Sequence, residues 1–399
     1  MNKNNLVITD VVIYEETQKL DNGFIRISEG KIVEVGSMDL FKQNESDTVL
    51  AFSSECSLLP GFIDLHIHGA NGSDIMDNSV DALKSIAEFL PKEGTTSFLA
   101  TTITQSDELI ESALKQAAAF VEMEGQTPHA DMIGIHLEGP FISNKRAGAQ
   151  PIMHIKDPDI DLFLTWQNQS GHLIKLVTMA PEQKNGLTFL EEVQKRGVVT
   201  SIGHSDATYA EVQEAINKGL THVTHLYNGM RGLHHREPGV AGATLSHSEL
   251  VAEMIVDGVH IHPSVVNSTF KAKGANELIL ITDAMRAKGL GEGDYDLGGQ
   301  QVSVVDGKAL LEDGTLAGSI LTMDEAVRNM MKYTGCSLRD IAKMTAENPA
   351  KQLGIWNKVG SIAVGKMADL VLLDENHKVV LTICKGKIAY EGVKNHEHH

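Results

Sequence analysis

The central part of this chain alternates between short apolar runs and amphipathic segments, and this alternation restricts the fold more than any other feature. Eight runs have the length of a strand: GFIDLHIH, TSFLATT, MIGIHLEG, LIKLVTMAP, VVTSIGH, HVTHLYN, VAEMIVDGVH and LILITDAM. Most are apolar almost throughout, which is typical of parallel strands covered on both faces. Helical periodicity follows most of them, as in SDATYAEVQEAINKG, where Ser205 or Thr208 is the expected N-cap and Gly219 the expected stop. Eight β–α units predict a (β/α)8 TIM barrel.

The two ends of the chain have a different texture from its centre. Residues 1–58 contain short β segments with turns, and residues 359–399 repeat this pattern in GSIAVGKMADLVLLD and VVLTICKGKIAYEG. Neither end has enough strands to bury an apolar face alone, so we expect the two ends to pair. The prediction is a small β-sandwich domain built from residues 1–58 and 359–399, and a barrel catalytic domain built from residues 59–358. A glycine-rich insertion, residues 286–319, follows the last predicted barrel strand.

Composition excludes several classes of partner. The chain has 34 basic and 53 acidic residues, and its formal net charge of −19 would repel nucleic acids and anionic membranes. The three cysteines, Cys56, Cys336 and Cys384, form no CxxC pair, which fits a reducing cytoplasm. We find no apolar run long enough for a signal peptide or a membrane span. The His-rich tail NHEHH is given no role.

Histidines and acids stand at the ends of six of the eight predicted strands: His66 and His68, Glu138, His204, His225, His260 and Asp283. In a (β/α)8 barrel these ends meet at the C-terminal face, where catalytic groups lie. Imidazoles and carboxylates are the ligands that borderline divalent metals take. His66 and His68 are two residues apart on one strand, so both side chains point the same way and can reach one ion. The pattern therefore predicts a metal centre.

Asp283 follows the apolar strand LILITDAM. A turn aspartate is common at such a position. The imidazoles and the carboxylate expected to face it favour another role, that of a general base which takes a proton from water at the metal and later delivers it to the leaving group. We interpret two further histidines as structural: His136 as a residue of the barrel interior, and His222 because a strand would turn it away from His225.

Two loops carry positive charge in this acidic chain. They contain Lys145 and Arg146 after the third strand, and Arg231, His234, His235 and Arg236 after the sixth. Both loops would lie over the barrel mouth. The pattern fits solvated surface charge, and it equally fits a cradle for an anionic substrate such as a sugar phosphate.

The motifs PGFIDLHIHG, HLEGPF, GHSDA, THLYNGM, REPGVAG, DGVH, TDAM and LAGS occur in this order. The chain thereby resembles the N-acetylglucosamine-6-phosphate deacetylase family of the amidohydrolase superfamily over nearly its whole length. The resemblance implies a cytoplasmic hydrolase of amino-sugar metabolism that converts N-acetylglucosamine 6-phosphate into glucosamine 6-phosphate and acetate. It also implies one or two divalent ions per subunit (Zn, Fe, Mn or Co). Acceptance of N-acetylgalactosamine 6-phosphate is left open.

The resemblance also implies roles for individual residues. Glu138, His204 and His225 match a shared metal site, His66 and His68 match a pair that adds a second ion bridged by Glu138, and Asp283 matches the catalytic acid/base. Substrate contacts fall on Gln150, Asn228, Gly229, Arg236, His260, Leu316, Ala317, Gly318 and Ser319. Arg236 is expected to reach the phosphate in a neighbouring subunit, which implies a homodimer. Gln150 stands where some members have a histidine, so its role is open.

Two other functions fit part of the pattern. A hydrolase of cyclic amides, similar to dihydroorotase or hydantoinase, or one of another N-acyl substrate, would share the HxH pair. The cyclic-amide enzymes bridge their metals with a carboxylated lysine at the end of strand four, where this chain has Met-Ala-Pro and Lys175 lies early. A catalytically silent barrel would be expected to have lost ligands or the acid, and this chain keeps all six.

Overall fold

The computed structural model describes residues 5–123 and 128–392, so the tail NHEHH lies outside the described residues. The strands are β1 (Asn5–Tyr14), β2 (Lys19–Ser28), β3 (Lys31–Ser37), β4 (Asp47–Ala51), β5 (Ser57–Pro60), β6 (Phe62–Ile67), β7 (Gly69–Ala70), β8 (Ser73–Asp74), β9 (Thr95–Thr102), β10 (Asp131–Glu138), β11 (Ile174–Met179), β12 (Val199–Ile202), β13 (His222–Val223), β14 (Val251–Ile255), β15 (Leu278–Ile281), β16 (Gly293–Leu297), β17 (Gln300–Val305), β18 (Lys308–Leu310), β19 (Leu370–Leu373), β20 (Val379–Cys384) and β21 (Lys387–Glu391). The α-helices are α1 (Val80–Phe89), α2 (Asp107–Glu122), α3 (Ile160–Gln169), α4 (Gly186–Gln194), α5 (Tyr209–Asn217), α6 (Gly239–Ser246), α7 (Pro263–Lys273), α8 (Met323–Thr334), α9 (Leu338–Ala342) and α10 (Asn348–Gln352). No helix in the described ranges is both long and apolar enough to span a bilayer.

The two ends of the chain pair with each other, as predicted, and their strands form one sheet. Its strand order is β21-β20-β19-β5-β1-β2-β3, and β4 pairs with the first half of β1. β5 connects the two ends, because it runs parallel to β1 and antiparallel to β19. The sheet has an apolar core of its own: Ile8, Val11, Ile13, Ile25, Ile27, Ile32, Leu58, Ile362, Ala368, Leu370, Leu372, Leu381 and Ile383. The domain boundaries at residues 58/59 and 358/359 stay a prediction.

The barrel consists of eight parallel strands in the order β6-β9-β10-β11-β12-β13-β14-β15, which correspond to the eight predicted runs. Closure takes place where the chain leaves β15 and meets the end of β6. There the Asp283 N–H donates to the His66 carbonyl, and the His68 N–H donates to the Ala284 carbonyl, each at 2.8 Å. The fold prediction is confirmed, and closure places the end of the last strand against the end of the first.

Local sequence explains where the helix α5 begins and ends. Of the two N-cap residues that the sequence allows, Thr208 takes the position. Its hydroxyl accepts from the Glu211 N–H, and the Glu211 carboxylate accepts from the Thr208 N–H, which forms a capping box. The helix stops at Asn217, and Gly219 follows with a φ of +105° that a side chain would disfavour.

The glycine-rich insertion forms a small antiparallel sheet of β16, β17 and β18, which we call the flap sheet. Its apolar side chains pack with residues that leave the barrel rim, in a core made of Ile103, Met285, Ala287, Leu297, Val302, Val304, Ala309 and Ala317. The flap sheet and the residues after it therefore lie against the segment that carries Asp283.

A buried ion pair anchors the chain five residues beyond Asp283. Lys288 Nζ donates to Glu93 Oε1 at 2.6 Å, and both side chains are at most 2 % exposed. Burial raises the pKa of Glu93 to about 7, although the ammonium group of Lys288 opposes this shift. The pair ties the exit of β15 to the entrance of β9.

Replacing Lys288 with methionine should lower the free energy of unfolding by about 3 kcal/mol at pH 8, because Glu93 would lose its buried partner. The folded-state pKa of Glu93 lies above its ordinary value of 4.5. Protonation of Glu93 therefore favours the folded state, and this benefit is lost as the pH rises through the folded-state pKa. The decrease in the free energy of unfolding caused by Lys288→Met should accordingly be smaller at pH 6 than at pH 8. Urea denaturation of both proteins at the two pH values measures this difference.

The matched control is the double variant Glu93→Leu/Lys288→Met, which should recover most of the lost stability because neither charge is then buried alone. A Lys288→Met protein as stable as wild type at pH 8 would contradict the prediction.

Candidate metal centre at the barrel mouth

Six side chains converge where the barrel strands end: His66, His68, Glu138, His204, His225 and Asp283. His66 lies on β6 and Glu138 is the last residue of β10, whereas the other four lie just beyond strand ends. All six are buried, with no more than 8 % exposure. Sequence positions spread over more than half of the chain therefore meet at one place.

Three of these residues adopt a left-handed backbone that side chains other than glycine rarely take. The φ angles are +47° at His204, +29° at His225 and +47° at Asp283. Each residue lies two positions beyond the end of its strand, so the unusual angle turns the chain sharply at the barrel rim. Left-handed residues of this kind are characteristic of functional sites, where the surrounding structure holds them in place.

Glu138 lies at the centre of the cluster. Its Oε1 is 3.1 Å from His204 Nε2, 3.0 Å from His225 Nε2 and 3.4 Å from His66 Nε2. Its Oε2 is 3.3 Å from His68 Nε2. One carboxylate thus faces four imidazoles, which is the geometry of a group that can bridge two ions.

Asp283 faces only two of these imidazoles. Its Oδ1 lies 3.4 Å from His66 Nε2 and 3.3 Å from His68 Nε2. Three sets of ligand atoms in the described residues lie within 4.8 Å of one another and could hold an ion: His66, His136 and Glu253; His66, His68 and Asp283; and Glu138, His204 and His225. Only the second and third sets contribute residues to the cavity wall described below. We call these two sets the HxH subsite and the Glu138 subsite.

The opposite ring nitrogens determine how the four imidazoles are protonated. Each Nδ1 faces an oxygen that can only accept: Glu253 Oε2 at 3.0 Å from His66, and the carbonyls of Thr101, Arg146 and Asn228 at 3.2, 2.9 and 3.1 Å from His68, His204 and His225. Nδ1 must therefore carry the proton in all four rings. In the neutral rings every Nε2 then presents a lone pair to the cluster.

In the neutral rings these lone pairs require a positive charge between them, which a metal ion or protons on the rings can supply. His204 Nε2 and His225 Nε2 lie 3.1 Å apart, and both face the same carboxylate oxygen. His66 Nε2 is buried without a hydrogen-bond partner in the described part of the chain. A divalent cation satisfies such a set of donors, and ligating histidines commonly hold their other nitrogen in this way. The residues present therefore fit a metal ion.

The charges of the side chains in this cluster also favour a bound cation. Burial lowers the pKa of His68, but hydrogen bonds and charge from Asp283 and Glu138 outweigh it and raise this pKa to about 9. Burial also opposes ionisation of Glu138, yet the charge on His66 and hydrogen bonds from His204 and His225 hold the Glu138 pKa well below its usual range. Burial also opposes ionisation of Asp283, but the charges on His66 and His68 and the hydrogen bond from His68 outweigh it and lower the pKa of Asp283. Both carboxylates are ionised at neutral pH, and the site attracts positive charge.

A cavity of about 360 Å³ opens onto the cluster. It is lined by His68, Glu138, His204, His225 and Asp283 and by six of the predicted substrate residues, Gln150, Asn228, Gly229, His260, Leu316 and Gly318. The structure does not place Ala317, Ser319 or Arg236 on the cavity wall. Ala317 packs in the core of the flap sheet, and the Ser319 hydroxyl donates to the Thr282 carbonyl at 2.5 Å. Arg236 is exposed, beside His235.

Residues 57–389 match the Amidohydrolase family. The chain belongs to the amidohydrolase family. The N-acetylglucosamine-6-phosphate deacetylase of Bacillus subtilis (strain 168) is 49% identical over 387 residues, which cover 97% of each chain. The structure of N-acetylglucosamine-6-phosphate deacetylase from Thermotoga maritima is 37% identical with a TM-score of 0.86, over 97% of this chain and 100% of that one. A mutant deacetylase from Mycobacterium smegmatis, in complex with N-acetyl-D-glucosamine-6-phosphate, has 31% identity and a TM-score of 0.90 over 97% and 99% of the two chains.

In this amidohydrolase the carboxylate between the subsites comes from β10 and not from a lysine on the fourth barrel strand. Lys175 lies at the start of β11, and its Nζ donates to the His172 carbonyl at 3.0 Å on the protein surface. It is therefore at the opposite end of the strand from the metal centre.

Gln150 and His260 have partners that define their roles in the cavity wall. Gln150 Nε2 donates to Glu138 Oε2 at 2.8 Å, and its Oε1 accepts from the Thr104 N–H at 2.8 Å, so Gln150 fixes the orientation of the central carboxylate. His260 Nδ1 lies 2.6 Å from Asp257 Oδ2. Burial lowers the pKa of His260, but the hydrogen bond and charge of Asp257 outweigh this and raise it.

The basic loops are partly neutralised by a single carboxylate. The Nη2 atoms of Arg146 and Arg231 each lie 2.8 Å from an oxygen of Asp206, and Lys145 Nζ lies 3.6 Å away. Arg236 forms no ion pair with any residue in the described ranges. Asp206 therefore holds the two loops together. Arg236, in the second of these loops, has no carboxylate partner among the described residues.

Sequence reasoning missed Glu253, a buried acid in the middle of β14. Its Oε2 accepts from His66 Nδ1 and from the His225 N–H, and its Oε1 lies 3.0 Å from His222 Nε2. The available signal was one acid within the apolar run VAEMIV. His222 does not line the cavity, and its ring is held by Glu253, which fits the structural role that the sequence suggested.

His136 lies inside the barrel, as expected for a structural histidine. Its Nδ1 donates to the Leu65 carbonyl at 3.1 Å, and its Nε2 accepts from the Thr178 hydroxyl at 2.7 Å. Burial, with a smaller effect of the charge on His66, lowers the pKa of His136 to about 3. The ring is neutral, and both of its nitrogens are satisfied.

Replacing Gly229 with alanine should weaken metal binding at the Glu138 subsite by about tenfold or more, because it displaces a ligand. Gly229 has a φ of +56°, and a Cβ there would lie 2.9 Å from His204 Nδ1. Zinc content after dialysis against limiting zinc would measure the effect, with circular dichroism to verify the fold. The matched control is Gly232→Ala in the same loop, where a Cβ meets no atom within 4 Å. Equal zinc retention by both variants would contradict the prediction.

Proposed function

We propose that this amidohydrolase is an N-acetylglucosamine-6-phosphate deacetylase, which hydrolyses its substrate to glucosamine 6-phosphate and acetate. The observation that carries the proposal is the convergence of four imidazoles and two carboxylates on one cavity, whose volume is within the range of small-molecule sites. The activity follows from the relatives: the Bacillus subtilis protein bears this name, and the Mycobacterium smegmatis enzyme binds the acetylated sugar phosphate.

The centre would hold one or two divalent ions from Zn, Fe, Mn or Co, all of which accept this set of imidazole and carboxylate ligands. Such an ion supplies a Lewis acid and lowers the pKa of water towards neutrality. His66, His68, Glu138, His204 and His225 would be its ligands. The carbonyl and carboxylate oxygens at their Nδ1 atoms keep each Nε2 aimed at the centre.

Asp283 would handle the protons of the reaction. Its carboxylate is ionised and lines the cavity, so it can take a proton from the attacking water. The same group can then protonate the departing amine nitrogen of the sugar. Two backbone bonds fix its position, from the Asp283 N–H to the His66 carbonyl and from the Ser319 N–H to the Asp283 carbonyl, each at 2.8 Å.

Substrate binding would use the polar groups on the cavity wall. The Nδ1–H of His260 donates a hydrogen bond to Asp257, so Nε2 is available to bind a sugar hydroxyl or the acetyl oxygen. Asn228 and Gly229 line the side formed by the loop after β13, and Leu316 and Gly318 line the side below the flap sheet. Ala317 and Ser319 would act indirectly by holding this second wall in place.

We extend the proposal to a cytoplasmic homodimer in which Arg236 reaches the phosphate in the neighbouring subunit. Arg236 is exposed, lies outside the wall of its own cavity and has no carboxylate partner in residues 5–123 and 128–392. A guanidinium group can bind a phosphate through two hydrogen bonds. In a chain with a net charge of −19, such a local cation would favour the binding of an anionic sugar.

Asp283→Asn should reduce kcat by about 10²- to 10⁴-fold, because the amide cannot accept or deliver the proton. Acetate release from N-acetylglucosamine 6-phosphate measures this change, and bound metal should stay near the wild-type amount. An active Asp283→Asn enzyme would refute the general-base role, and loss of the metal would show that Asp283 is primarily a ligand.

Arg236→Ala should raise KM for N-acetylglucosamine 6-phosphate by about tenfold or more, since a charged hydrogen bond to the phosphate is lost. KM for unphosphorylated N-acetylglucosamine should not change. Arg196→Ala, an exposed arginine between α4 and β12, is the matched control and should affect neither substrate. Equal effects of Arg236→Ala on the two substrates would rule out phosphate recognition by Arg236.

A further inference from the structure

Glu253 is a buried carboxylate for which the proposed mechanism has no use. Its side chain is 0 % exposed, and the rest of β14 is apolar. Three donors surround it: His66 Nδ1 at 3.0 Å, the His225 N–H at 3.2 Å and His222 Nε2 at 3.0 Å. A carboxylate is costly to bury unless its lone pairs are used in this way, so its presence here requires a reason.

The contact between Glu253 and His66 makes the two subsites unequal. Of the four imidazoles that face Glu138, His66 gives its Nδ1 proton to a carboxylate, whereas His68, His204 and His225 give theirs to backbone carbonyls. A carboxylate partner makes an imidazole a stronger base and a stronger metal ligand. The charge of Glu253 therefore acts on a ligand of the HxH subsite, whereas its contact with His225 is through the backbone.

We infer that Glu253 is a positioning residue that sets the affinity of the HxH subsite for a divalent ion, separately from the Glu138 subsite. This inference rests on the proposed function only in that the centre binds metal. Under this arrangement, Glu253 determines whether the second ion is retained when metal is scarce.

Glu253→Gln is a suitable test because it removes the charge and can keep the hydrogen bonds. The amide oxygen can accept from His66 Nδ1 and the His225 N–H. The amide NH₂ then faces His222 Nε2. His222 Nδ1 is buried without a partner in the described residues, so this ring can move its proton to Nδ1 and accept at Nε2.

The experiment titrates zinc into metal-free wild-type and Glu253→Gln protein and measures the occupancy of each subsite by anomalous scattering at the zinc edge. The HxH subsite should bind zinc about 10- to 100-fold more weakly in the variant. The affinity of the Glu138 subsite should change little. The ratio of the zinc affinities of the two subsites is informative, because a general loss of stability would lower both affinities together.

The matched control is Glu182→Gln in the loop between β11 and α4. Glu182 accepts from the Ser205 hydroxyl and the Asp206 N–H, each at 2.7 Å, next to His204, and no imidazole bond to it is found in the described ranges. This variant should leave the ratio of the two affinities at its wild-type value.

Should Glu253→Gln fail to fold, His222→Leu provides a test in the opposite direction. It removes the hydrogen bond at Oε1, so that the charge of Glu253 acts more strongly on His66 and zinc affinity at the HxH subsite should rise relative to the Glu138 subsite.

Two outcomes would overturn the inference: a ratio of the two zinc affinities that is unchanged in Glu253→Gln, whether or not both affinities fall, or wild-type protein with no zinc at the HxH subsite even when zinc saturates the other. An unchanged or lower ratio in His222→Leu would also overturn it. Wild-type protein without zinc at either subsite would instead refute the proposed function.

Discussion

A carboxylate buried at the mouth of a barrel has to be neutralised, and the structure around Glu138 follows from that requirement. Burying one ionised group without partners is strongly unfavourable, so the cluster is stable only where positive charge can gather. In their neutral form the four imidazoles around Glu138 present nitrogen lone pairs to it, because oxygens behind them take the Nδ1 protons. A cation would bind between these nitrogens and Glu138, and the oxygens at the Nδ1 atoms already orient the imidazoles for it.

Barrel closure is what brings the two acids together. Glu138 ends β10 and Asp283 follows β15, and they face each other because the exit of β15 is hydrogen-bonded to the end of β6. The left-handed backbone at His204 and Asp283 is held by similar bonds. The Ser143 N–H donates to the His204 carbonyl, and the Ser319 N–H donates to the Asp283 carbonyl, each at 2.8 Å. The conformational free energy that these angles cost is offset by the hydrogen bonds that hold the backbone in this conformation.

A second layer of polar residues gives each functional group its direction. Gln150 orients Glu138, Asp257 orients His260, and Glu253 orients His66. A site that must hold an ion and a sugar in fixed relation needs such support, because a small displacement of a ligand costs affinity. The supporting residues come from the strand β14 and from loops that follow barrel strands.

The sequence by itself determined the barrel, the joining of the two chain ends and the six residues to expect at the candidate metal centre. Apolar runs, helix caps and strand-end positions are local features, and the convergence of strand ends follows from the barrel itself. Only the tertiary structure decided which groups support that centre. Glu253 contacts His66 across 187 positions of sequence, and Asp206 gathers Arg146 and Arg231 from two loops. The His222 ring and the His225 N–H both contact Glu253, because β13 ends at Val223 and strand alternation stops there. Such contacts depend on the register of distant strands and on where each strand stops, and no local pattern encodes either.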